Sequence, residues 1–168
     1  MHEIYRGQYL DAWPQAVFHD APGFAGDHLE LDGAVTLEQS GPDAWEKVFQ
    51  QHHVTGMAQV NEVVFPHQPS RTLIVADLVF NIRNCPPWWT RLGLRLNGGC
   101  YSGLSPSDLF RLVIKDKTGY HASLETVLKW DFDRLNGGHG ENVGARARDE
   151  LAGAMRGCGL LDHGEHEA

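Results

Sequence analysis

Asn61-Glu62-Val63-Val64-Phe65-Pro66-His67-Gln68-Pro69-Ser70-Arg71-Thr72-Leu73-Ile74-Val75-Ala76-Asp77-Leu78-Val79-Phe80-Asn81 decides how this chain is read. Glu62 to Phe65 reads as a strand, His67-Gln68-Pro69-Ser70 as a tight turn, and Arg71 to Ala76 as a second strand. Leu73-Ile74-Val75-Ala76 is a continuous apolar run, the pattern of a strand buried on both faces. The run ends abruptly in Asp77. An acid at the end of a buried strand stands at the sheet edge, where sites in layered α/β folds gather.

A partner for that acid comes much later. Trp130-Asp131-Phe132-Asp133-Arg134-Leu135-Asn136 reads as a helix end running into another strand, which stops at Gly137-Gly138-His139-Gly140-Glu141. Glycines on both sides of His139 let the backbone turn sharply and let a ligand or ion approach. An Asp and a His, each at a strand end, form a pair of candidate metal ligands. The same glycines before a helix could cradle an anion, but the Lys-Ser/Thr of a phosphate loop is missing.

These two stretches resemble the second half of the metallo-β-lactamase superfamily. More closely, Glu62-Val63-Val64-Phe65, Pro69-Ser70-Arg71-Thr72-Leu73-Ile74, Asp77-Leu78 and Trp130-Asp131-Phe132-Asp133-Arg134 with His139-Gly140-Glu141 are similar to a branch of it known only as a domain of unknown function. The similarity runs from about His2 to Leu161. It implies an α/β fold, a metallo-β-lactamase-like αββα layered sandwich truncated at its N-terminus, over residues 1–161, with 162–168 a disordered charged tail. It also implies metal ligands at Asp77 and His139, the positions of the bridging Asp and the final His. His2 would stand where the superfamily's first motif, His-x-His-x-Asp-His, ends. Glu62 and Asn81 would orient those ligands.

One carboxylate and two imidazoles are the ligand count of a mononuclear catalytic zinc, which makes a nucleophile of bound water. The resemblance thus implies a hydrolase of an ester, thioester or lactone with one divalent metal (zinc, iron or manganese). The chain also departs from the pattern. Its first motif is all but missing, and Gly56-Met57-Ala58 stands where catalytic members carry Gly-His-Thr, which puts a thioether in place of an imidazole. Those departures favour the other reading: a non-catalytic binding or structural protein that holds no metal. Met1 could be a late start, and a sandwich short of its first strands would expose strand edges and self-associate.

Composition sets outer bounds. A chain of 168 residues, 42% hydrophobic and 21% charged, has the make-up of one globular domain burying roughly 70% of its unfolded surface. A net charge of −8 argues against nucleic acid. No basic amphipathic segment is read that would favour anionic lipid, no apolar run approaches the ~20 residues of a membrane span, and no signal-peptide core is read. Cys85, Cys100 and Cys158 lack Cys-x-x-Cys spacing and suit a reducing compartment. The expectation is a cytoplasmic protein with an unknown small molecule as its partner.

The remaining elements follow the periodicity. Ile4, Tyr5, Tyr9, Leu10 and Trp13 recur at helical spacing up to Pro14, and Gln15 to His19 reads as a strand. Gly26 to Pro42 reads as loop or two short strands, at 28–31 and 35–37. Trp45 to Thr55 reads as a strand, with His52 and His53 as solvent-facing histidines near a turn; adjacent strand residues point to opposite faces, so at most one could serve a given site. Helices are expected from Pro87 to Leu96, from Ser105 with Leu109, Leu112 and Val113 on one stripe, from Tyr120 to Trp130, and from Gly144 to Met155. Trp88 and Trp89 are expected to pack under a loop. His163 and His166 in the tail could scavenge metal weakly.

Overall fold

A computed structural model describes residues 6–22, 35–37, 45–83, 88–96 and 103–162. The chain clusters into two compact units, Met1–Glu38 and Gln39–Ala168. In the first, helix α1 (Arg6–Ala12) is followed by β1 (His19–Asp20), which pairs in parallel with β2 (Val35–Thr36), His19 facing Val35. The stretch 28–31 lies outside the described residues, as do Cys85, Cys100 and the tail from His163.

The second unit is built on a mixed four-stranded sheet in the order β3-β4-β5-β6, from β3 (His52–His53), β4 (Val63–His67), β5 (Thr72–Val75) and β6 (Arg134–Gly137). β4 and β5 form the expected hairpin, with Phe65 opposite Ile74 and His67 opposite Thr72. β5 then pairs in parallel with β6, Leu73 facing Leu135 and Val75 facing Gly137. Along β4, buried Val64 and Pro66 alternate with half-buried Val63, Phe65 and His67. One face of the sheet is therefore core, and the other is only partly covered.

The core face carries Val64, Leu73, Val75 and Leu135, each almost fully buried. Against it pack α4 (Lys117–Leu128), through Tyr120, Leu124 and Val127, and α5 (Ala147–Gly157), through Leu151 and Met155. Burying each such side chain contributes about 1.5–3 kcal/mol relative to leaving it in water. Met57 joins this core at 2% exposure, so the thioether serves as packing.

Several elements differ from the sequence reading. Trp45 to Val48 is a turn, because the Val48 and Phe49 amides both donate back to the Trp45 carbonyl; only His52–His53 is strand. Both histidines are half-buried there, not solvent-facing, and their Nε2 atoms have no hydrogen-bond partner among the described residues. Burial, then the charge of His53, holds His52 below its ordinary range. α4 starts at Lys117 because Asp116 caps it, its carboxylate accepting from the Gly119 amide at 3.0 Å. The helix from Ser105 shortens to α3 (Asp108–Val113), and Leu112 points outward at 74% exposure. α2 (Trp88–Leu96) forms as expected, but Trp88 and Trp89 are 69% and 63% exposed instead of packed.

Candidate functional site

Asp77 and His139 meet because two parallel strands are overrun by the same count. Val75 and Gly137 face each other in the β5–β6 register. Asp77 lies two residues past the first and His139 two past the second, so both reach the same rim. His139 Nε2 stands 2.8 Å from Asp77 Oδ1, an N–H donating to a carboxylate. The Asp77 side chain is 16% exposed and that of His139 39%, so the imidazole is open to solvent while the acid sits behind it.

The glycines around His139 serve this approach. Gly140 has φ +96, where L side chains are strained, and a Cβ there would meet the Asn81 carbonyl oxygen at 2.3 Å. At Gly138 a Cβ would meet the Ala76 carbonyl oxygen at 2.7 Å. The loop thus lies backbone against backbone on 76–82. The Gly138 amide donates to Val75, Asn81 to His139, and Glu141 to Asn81.

Glu62 holds the other half. It precedes β4, beside the end of the antiparallel β5, and is 2% exposed. Its two carboxylate oxygens accept the Ala76 amide at 2.7 Å and the Asp77 amide at 3.0 Å. Burial raises the Glu62 carboxyl above its ordinary value; the backbone N–H groups of 76 to 78 pull it back down, and the Asp77 charge adds to the rise. Tyr120, buried in the core, is held above its usual range by burial first and by the Glu62 charge next.

Asn81, also 2% exposed, ties the two halves together. Its Nδ2 donates to the Glu141 carbonyl at 2.7 Å, and its Oδ1 accepts from Arg83 Nε at 3.0 Å. Glu62 and Asn81 therefore both orient the rim through its backbone. Phe80 was not singled out by the sequence reading. Its ring stacks on the His139 imidazole, centroids 4.9 Å apart and planes within 17°. An aromatic three residues beyond the acid, in the same stretch, was the available signal.

His2 lies outside the described residues. Among the described residues no group of three or more His, Cys, Asp or Glu side chains is arranged to hold a metal ion. Asp77 and His139 alone are two donors of suitable chemistry. To hold an ion between them, the two side chains would give up the 2.8 Å hydrogen bond they share. Such an ion would displace the proton that Nε2 donates to the carboxylate.

No protein-family model matches the chain, and no curated protein matches it.

Proposed function

We propose that the protein is a hydrolase of an ester, thioester or lactone, working through water activated at the Asp77–His139 rim with one divalent metal, zinc, iron or manganese. The observation that carries this reading is the 2.8 Å approach of an imidazole nitrogen to a carboxylate oxygen at one end of two parallel strands. Asp77 Oδ1 and His139 Nε2 would hold the ion. When bound, the metal lowers the pKa of its water towards ~7.

The chain's own residues supply position. Glu62 fixes the Asp77 backbone, Phe80 fixes the plane of the imidazole, and the glycine loop holds His139 at the height of the acid. This reading takes the mixed sheet, with helices on its core face and a half-covered face opposite, as one layer of an αββα sandwich.

The test is metal content of protein purified without a chelating tag, with turnover on a panel of esters, thioesters and lactones. The expected result is close to one ion per chain, lost in both Asp77→Ala and His139→Ala together with turnover. Sub-stoichiometric metal, with no thermal shift on adding zinc, iron or manganese, overturns the reading.

One observation favours a second reading, a non-catalytic binding or structural protein. The two side chains already satisfy each other by a direct hydrogen bond, and no third ligating side chain joins them among the described residues. On that reading the two alanine variants change stability and nothing else.

A further inference from the structure

α2 has the sequence Trp-Trp-Thr-Arg-Leu-Gly-Leu-Arg-Leu. Trp88 and Leu92 are four residues apart and Trp89 and Leu92 three, so the three side chains share one side of the helix. All three are exposed, at 69%, 63% and 50%. The two indoles meet edge to face, centroids 5.8 Å apart, forming one contiguous apolar patch. Among the described residues α2 makes no extensive interface with another element.

Charge is segregated around this helix. From Leu78 to Ser107 the sequence contains no Asp or Glu and three arginines, Arg83, Arg91 and Arg95, in a chain whose net charge is −8. Two of those arginines lie within α2 itself. The sequence reading found no basic amphipathic segment and, separately, expected Trp88 and Trp89 to pack under a loop; both are exposed.

We propose that α2 docks on an anionic membrane surface, lying in the plane of the interface with Trp88, Trp89 and Leu92 among the headgroups, drawn there by the positive charge of its sequence. Tryptophan's amphipathic ring prefers this depth, and a short helix with an apolar side and basic residues is the form that lies on a bilayer. No described helix is long and apolar enough to cross one. Charge complementarity selects this occupant. A second copy would repeat the positive charge of this stretch, where an anionic surface balances it. Single-stranded nucleic acid would use parallel stacking platforms, whereas this indole pair is near perpendicular, at 76°, and continues into aliphatic Leu92.

Co-sedimentation of the full chain with phosphatidylglycerol vesicles and with phosphatidylcholine vesicles, at low and high salt, tests this. The expected result is retention on phosphatidylglycerol that weakens with salt and exceeds that on phosphatidylcholine. A Trp88→Ser/Trp89→Ser/Leu92→Ser variant, unchanged in circular dichroism, should lose at least about tenfold. Arg91→Gln/Arg95→Gln should lose roughly fivefold per arginine. Failure to sediment with phosphatidylglycerol at low salt overturns the proposal, as does equal retention of the triple-serine variant or of the double-glutamine variant. So does tighter binding to a single-stranded oligonucleotide, or a dimer in sedimentation velocity that the triple variant abolishes.

Discussion

His139 and Asp77, 62 positions apart in the chain, share a 2.8 Å hydrogen bond because each stands two residues beyond a register pair of adjacent parallel strands. A double-mutant cycle on Asp77→Ala and His139→Ala should therefore show coupling. The bond is partly open to water, so about 0.5–1.5 kcal/mol is expected in chemical denaturation, below the range for a buried charged pair. Additive effects within about 0.3 kcal/mol would mean that the contact does not form in solution.

Gly140→Ala should destabilise by about 2 kcal/mol or more, because it adds a Cβ at positive φ and drives it into the Asn81 carbonyl. Gly153→Ala is the control. Gly153 sits inside α5 with open space around it, so alanine there should stabilise by about 0.5–1 kcal/mol. Urea denaturation of both variants checks the contrast, and equal effects would contradict it.

Glu62→Gln should change the pH dependence of stability. Burial raises the folded carboxyl above its unfolded value, so folding favours the protonated form. The stability from this group is fully present below its ordinary value of about 4.3 and is lost as pH rises through the folded value. Glutamine does not titrate. The stability of the wild type relative to Glu62→Gln should thus fall as pH rises through the range above that ordinary value. A difference that stays flat over that range would contradict the assignment.

Asn81→Ala removes a nearly buried side chain that bridges the Glu141 carbonyl and Arg83, and with it two hydrogen bonds. A loss of about 1–3 kcal/mol is expected. Amide exchange at Glu141, whose N–H donates to the Asn81 carbonyl, should quicken with it.

The hairpin was legible in the sequence because its apolar run is short, continuous and bounded by turn residues, and β4 and β5 formed within it. Asp77 and His139 were legible as strand-end residues and as a candidate pair, and they do meet; the geometry of the meeting was not legible. It depends on a parallel register set across the intervening helices, which no local period encodes. Trp45 to Thr55 misled because Val48, Phe49 and Val54 mimic a strand, whereas a local turn claims the amides of 48 and 49. The start of α4 was missed because a single side chain, Asp116, converts an apparent break into a cap. Trp88 and Trp89 were misread for the opposite reason: bulk and apolarity argue for burial, and here nothing covers them among the described residues.

Glu62 takes over where the β5 ladder runs out, supplying the acceptors that another strand would otherwise have offered to the amides of 76 and 77. The main chain under Asp77 is thereby preorganised independently of whatever its side chain binds. Exchanging that side chain should alter the chemistry of the rim while leaving its scaffold standing, which makes the site unusually clean ground for mutagenesis.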